Sequence, residues 1–136
     1  MAGEREMSAN TILITADGNI ELIYLDFSDY RNIYKCIDCE SFAIVRCYGS
    51  KALDEQGIMM YVDDASLCRE NPVFNPIASL IYGFDVHQQG ICGSAVFSAI
   101  DDLGNSNPLT EDNIKLVRAE IVRLIAEHLE SLQNDE

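Results

Sequence analysis

The stretch from Asn71 to Val96 constrains the fold of this chain more than any other segment. It contains two Asn-Pro pairs, Asn71-Pro72 and Asn75-Pro76, and three of the eight glycines. An asparagine can cap a helix by accepting a backbone N–H bond, and proline fits the first helical position because its missing N–H has no partner there. We therefore predict a short helix that begins at Pro76, followed by a glycine-rich segment and a strand over 90–98.

Two other parts of the sequence predict β-hairpins. The β-rich runs 11–15 and 20–25 flank Asp17-Gly18, a pair that tolerates the positive φ angles of a tight turn. The runs 42–48 and 58–62 are predicted to form a second hairpin with a long polar loop over 49–57 at its tip. Between the hairpins, helical spacing of apolar residues predicts a helix over 30–40, capped by Ser28 or Asp29.

The C-terminal segment predicts the longest helix, capped by Thr110 and running to about Leu132. Its apolar stripe consists of Ile114, Val117, Ile121, Leu124, Ile125, His128 and Leu132. Three further residues, Leu116, Val122 and Leu129, make the stripe wider than one small sheet would cover. We therefore expect a homodimer through this helix.

These elements predict an α+β fold: a mixed or mostly antiparallel sheet of about five strands with three helices, packed as a single pair of layers. We assign residues 1–9 to a flexible arm, 10–133 to one domain and 134–136 to a tail. The first residues carry Glu4 and Glu6 without the apolar core of a secretory signal, and no apolar run reaches the ~18 residues of a membrane span. We therefore expect a cytoplasmic protein with no membrane partner.

The charge of the chain is strongly negative, with 23 acidic against 9 basic residues and a formal net charge of −14. Such a surface repels phosphate backbones, so we expect no direct binding to nucleic acid. A solvated acidic surface is the simplest interpretation. An acidic mimic of DNA is an alternative, and it would require carboxylates spaced along one face like phosphates.

The five cysteines are odd in number and irregularly spaced, which is typical of free thiols in a reducing compartment. Cys36-x-x-Cys39 would need two more ligands for zinc, or the N-terminus of a helix for redox chemistry. We interpret the pair as small apolar residues on one helix face. Asp63-Asp64 could hold a divalent cation, but a turn-initiating pair is the simpler interpretation. We therefore predict no metal and no cofactor.

Amide and aromatic side chains and glycines are concentrated in the Asn-Pro stretch, and the predicted ligand-binding residues are Asn71, Asn75, Tyr82, Asp85 and His87. Such side chains hydrogen-bond to neutral ligands such as bases or sugars. This pattern favours a non-enzymatic binding protein that sequesters a small nucleotide-like ligand or a host protein. The alternative is an enzyme acting on a nucleotide-like substrate, with Asp85 and His87 as acid–base residues.

Several short motifs extend along much of the chain: Tyr61-Val62-Asp63-Asp64, Asn75-Pro76-x-Ala78-Ser79, Tyr82-Gly83-x-Asp85 and Leu109-Thr110-Glu111-Asp112-Asn113-Ile114. Over about residues 11–120 this pattern resembles a family of short domains of unknown function that is common in phages, other mobile elements and their hosts. The resemblance implies a compact α+β domain and a viral or mobile-element connection. Our hypothesis of a binding protein then includes an accessory or anti-defence factor. The resemblance implies no catalytic residue.

Overall fold

The structure, a computed structural model, describes residues 8–64, 71–84 and 90–134. These ranges contain six strands and four helices. The strands are β1 (Thr11–Ile14), β2 (Ile20–Ile23), β3 (Phe42–Arg46), β4 (Ile58–Asp63), β5 (Ala95–Ile100) and β6 (Ser106–Asn107). The helices are α1 (Arg31–Ile37), α2 (Lys51–Glu55), α3 (Pro76–Tyr82) and α4 (Glu111–Asn134).

The strands form one antiparallel sheet in the order β2-β1-β5-β4-β3, and the short β6 pairs with β5. β5 lies at its centre because its residues Val96 and Phe97 are apolar on both faces and fully buried. The predicted α+β class and both predicted hairpins are confirmed.

Helices cover both faces of the sheet rather than one. Met60 and Phe97 pair on one face, where they join the larger core with residues of α2, α3 and α4. Tyr61 and Val96 pair on the other face and pack with Ile33 of α1. The expected single pair of layers is therefore wrong, because alternate residues of the central strands are apolar on both sides.

The polar loop predicted over 49–57 contains a helix, α2. The buried Ser50 caps it by accepting a hydrogen bond from the N–H of Leu53 at 3.2 Å. Leu53 is fully buried in the larger core. One buried leucine in a polar stretch gives no helical periodicity, which is why the sequence pattern did not predict this helix.

The Asn-Pro stretch forms the predicted short helix, α3. Asn75 caps it by accepting from the N–H of Ala78 at 3.0 Å, Pro76 is its first residue, and Gly83 ends it at a φ of 93°. The following strand begins at Ala95 rather than Gly90. Before it, Cys92 forms an isolated antiparallel bridge with Phe74.

Helix α4 begins at a reciprocal cap, in which Thr110 accepts from the N–H of Asn113 and the side chain of Asn113 accepts from the N–H of Thr110. Its residues Val117 and Ile121 are buried, whereas every residue over 126–133 is exposed. Across the part of the chain that the structure describes, no helix has the length and apolar character needed to cross a membrane.

Candidate ligand-binding cleft

A cleft of about 380 Å³ lies at one end of the sheet. β5 lies between β1 and β4 and runs antiparallel to both, so the end of β1, the end of β4 and the entry to β5 meet there. The C-terminal end of α1 and the first residues of the Asn-Pro stretch complete the walls. The lining residues are Ala16, Asp17, Ile37, Asp38, Asp63, Asn71, Pro72, Val73, Cys92, Gly93 and Ser94.

Three carboxylates line this cleft, and each is positioned by a different element. Asp17 lies in the β1–β2 turn, where the hydroxyl of Thr15 donates to it. Asp38 follows α1 in a left-handed conformation with a φ of 54°. Asp63 is the last residue of β4 and is only 7% exposed. Among the described lining residues there is no lysine, arginine or histidine, and Asp38 and Asp63 each already have an interaction partner.

The chemistry of the cleft suits the binding of a cationic group. Carboxylates form their strongest hydrogen bonds with cationic donors such as ammonium and guanidinium groups. Ile37, Val73 and Cys92 add apolar surface against which the stem of such a group can pack. Within residues 8–64, 71–84 and 90–134, no group of three or more His, Cys, Asp or Glu residues is arranged to hold a metal ion.

The structure separates the predicted ligand-binding residues. Asn71 is exposed and lines the cleft. Asn75 is fully buried, and its amide donates to the carbonyl oxygens of Ile14 at 3.1 Å and Gly93 at 2.8 Å. These bonds, with the helix cap, give Asn75 a structural role that fixes the Gly93 wall of the cleft against β1.

Tyr82 lies at the opposite end of α3 from Asn75, half-buried, with its ring 6.2 Å from that of Tyr48. It does not line the cleft. Asp85 and His87 lie outside the described residues. The structure therefore brings Asn71 alone of the described three to the cleft, and the assignment of these residues to ligand binding stays a prediction.

An exposed apolar surface adjoins the cleft through Val73, which is 57% exposed and lines it. The rings of Phe74 and Phe84 contact each other edge to face, with centroids 5.9 Å apart. Phe74 is 47% exposed and Phe84 is 39% exposed. Neither ring is among the residues that line the cleft, and Phe84 instead lines a separate pocket with Tyr48 and His128.

The cysteines of α1 and β3 do not carry the features of a reactive site. Burial, with a smaller effect of the nearby Glu21 carboxylate, raises the pKa of the Cys36 thiol to about 11. Burial raises the pKa of Cys47 to about 12. Both thiols are therefore protonated at neutral pH, which removes the nucleophilic form. Cys39 and Cys92 are buried.

The sequence pattern did not predict Asp17, Asp38 or Ser94 as members of the site. In the sequence, Asp17 indicates a turn, and no motif marks Asp38 as part of a site. Asp63 stands out only as one of an acidic pair at the end of a strand. These residues come from separate segments, and their convergence depends on β5 inserting between β1 and β4. No local pattern in the sequence encodes that strand order.

No protein-family model matches this chain, and no curated protein or solved structure matches it. The resemblance to the phage-associated domains therefore stays a prediction.

Proposed function

We propose that this chain is a non-enzymatic binding protein whose acidic cleft takes up a cationic or neutral polar group. The observation that carries this proposal is the convergence of three carboxylates, Asp17, Asp38 and Asp63, in one cleft of about 380 Å³. A phosphate group would lie beside three carboxylates there, so a nucleotide-like ligand fits only through its base or sugar.

A partner protein that presents an arginine or lysine side chain fits the cleft best. The guanidinium or ammonium group would contact the carboxylates, and apolar residues flanking it would contact the exposed Val73. The net charge of −14 would speed the encounter with a basic partner. An accessory or anti-defence role in a viral or mobile element is compatible with sequestering such a host protein, and it is supported only by the resemblance of the sequence motifs.

The experiment is an NMR titration with blocked arginine amide, compared with blocked glutamine amide of similar size and no charge. We expect the arginine probe to bind with a dissociation constant on the order of 1 mM and to shift the backbone signals of Asp63, Asn71 and Gly93. The same titration with adenosine and with adenosine monophosphate separates a nucleoside ligand from a phosphate-bearing one.

A matched pair of variants locates the binding. Asp63→Asn removes one carboxylate from the cleft and is expected to weaken arginine binding about tenfold. Asp102→Asn removes the same charge from the exposed turn between β5 and β6, away from the cleft, and is expected to leave binding unchanged. Equal weakening by both variants, or no shift at the cleft with any probe at about 10 mM, would refute the proposal.

A further inference from the structure

A second, apolar groove lies between the edge strand β2 and helix α4. It has a volume of about 370 Å³ and is lined by Ile20, Leu22, Arg118, Ile121 and Val122. In the described part of the chain β2 pairs with β1 alone. Its residues Ile20 and Leu22 oppose Ile14 and Ile12 and so face α4, yet they remain 43% and 48% exposed.

The C-terminal part of the same helix presents an apolar seam in which Val122, Leu129 and Leu132 are exposed, whereas Ile125 packs partly against the larger core. Val122, Ile125, Leu129 and Leu132 follow one another at intervals of three and four residues, so they lie along one line on the helix. Leu129 is 54% exposed and Leu132 is 53% exposed, and neither packs against either hydrophobic core. Val122, at the groove, is 68% exposed.

The far end of the seam, at Leu129 and Leu132, cannot reach the groove of its own chain. Leu132 lies ten residues beyond Val122 in a continuous helix, which places it about 15 Å away along the axis. In a pair of chains, the seam of one copy can cover the groove of the other, and the reverse. We propose that two copies associate with their α4 helices antiparallel, so that Leu129 and Leu132 of each copy enter the groove of the other.

Such a contact produces a closed two-fold dimer, because both copies contribute the same residues to the interface. In this register Val122 faces Leu132 of the second copy, and Ile125 faces Leu129. The expectation from sequence placed the dimer on α4 alone. The structure adds the side chains of β2, Ile20 and Leu22, as the other wall of the contact.

The charges along α4 favour the antiparallel orientation. Lys115 and Arg118 continue the line of the seam toward the N-terminal end of the helix. In a parallel pair, each of these cations would lie opposite the same cation of the second copy. In the antiparallel pair Arg118 approaches the C-terminal end of the other helix, which carries partial negative charge.

The exposed apolar area is also of the size that a dimer requires. Five side chains that are 43–68% exposed, Ile20, Leu22, Val122, Leu129 and Leu132, amount to a patch on the order of 400 Å². With its polar rim, such a patch forms the centre of an interface of about 800 Å² per partner, the usual size for a stable complex.

The first test is light scattering of the full chain over concentrations up to about 100 μM. We expect a dimer, and we expect Val122→Glu and Leu132→Glu each to raise its dissociation constant at least tenfold while helix content is unchanged. Leu103→Glu is the matched control, because Leu103 is 87% exposed in the turn after β5 and lies outside the groove. A monomeric wild type, or a dimer that both α4 variants leave intact, overturns the proposal.

The second test fixes the register by disulfide crosslinking under mild oxidation. A mixture of the single variants Val122→Cys and Leu132→Cys is expected to give a crosslinked heterodimer, whereas a mixture of Leu103→Cys and Leu132→Cys is not. Wild type serves as the control for its native cysteines. Crosslinking of Val122→Cys with itself in place of the mixture would overturn the antiparallel register. Binding of the arginine probe by Leu132→Glu then shows that the cleft works independently of this contact.

Discussion

The side-chain amide of Asn75 donates a hydrogen bond to the carbonyl oxygen of Ile14 across 61 residues of chain, at 3.1 Å. The same amide donates to Gly93, and its oxygen caps α3. One buried side chain thus joins β1, the entry to β5 and the start of α3. Ala16, which follows β1, and Gly93, which precedes β5, both line the acidic cleft. Asn75 therefore holds two walls of the cleft together.

Replacing this side chain is expected to cost more than removing an ordinary helix cap. Asn75→Ala removes three hydrogen bonds and leaves two buried carbonyl oxygens without that partner, so we expect the free energy of unfolding to fall by about 3 kcal/mol. Urea denaturation measures the change. Asn71→Ala, at the exposed asparagine of the other Asn-Pro pair, is the control and is expected to change stability by less than about 0.5 kcal/mol. Similar losses in the two variants would contradict the structural role of Asn75.

Gly49 provides a test of backbone packing. A Cβ atom there would lie 2.0 Å from the carbonyl oxygen of Leu80 and 2.9 Å from that of Ile81, and its own N–H donates to Ile81. Because backbone atoms cannot move aside locally, Gly49→Ala is expected to lower the free energy of unfolding by at least about 3 kcal/mol.

The comparison for Gly49 is Gly104→Ala. Gly104 has a φ of 84° and open space around the added Cβ, so the variant suffers only conformational strain, about 1 kcal/mol. Thermal unfolding of the two variants separates overlap from strain. A Gly49→Ala protein as stable as Gly104→Ala would mean that α3 does not approach this glycine so closely.

The sequence predicted those parts of the fold whose signals are local. The cap and stop of α3 at Asn75 and Gly83, and the reciprocal cap of α4, each depend on residues within eight positions of one another. The Asp17-Gly18 turn pairs two strands that are adjacent in sequence. In each case the backbone conformation follows from the side chains that are close in the chain.

The parts that sequence did not predict depend on distant packing. α2 forms because Leu53 is buried against the larger core, although its neighbours are polar. Helices occupy both faces because Tyr61 and Val96 oppose each other on the face that α1 covers. The cleft requires the order β1-β5-β4, in which β1 and β4 are separated in the chain by more than forty residues but lie on either side of one strand. Short-range periodicity carries none of this information.

The raised pKa of Cys36 predicts slow alkylation at neutral pH. Because only the thiolate reacts, we expect the rate with iodoacetamide to rise about tenfold per pH unit and to continue rising until near the pKa of about 11. Site-resolved mass spectrometry measures the rate at Cys36 separately from the other thiols, and the urea-unfolded chain is the control. A plateau of the folded rate below pH 8 would indicate an activated thiol and revive the redox interpretation of Cys36-x-x-Cys39.

Glu120 is expected to make part of the stability depend on pH. Its carboxylate accepts from Arg123 at 2.7 Å and from the hydroxyl of the buried Ser50 at 2.7 Å. The hydrogen bond from Arg123, followed by that from Ser50, lowers its pKa below the usual value near 4.5 in spite of partial desolvation. Because the folded-state pKa lies below the unfolded one, this contribution is fully present above about pH 5 and is lost as pH falls through the folded-state pKa.

Glu120→Gln should therefore destabilise the protein by about 1 kcal/mol at neutral pH, and its difference from wild type should shrink as pH falls through the folded-state pKa of Glu120. Urea denaturation at a series of pH values gives the two curves. Glu55→Gln is the control, because Glu55 is exposed and lies 3.8 Å from Lys51 in a surface pair that contributes little at any pH. A Glu120→Gln deficit that is constant from pH 7 to pH 3 would show that the carboxylate's charge does not stabilise the junction between α2 and α4.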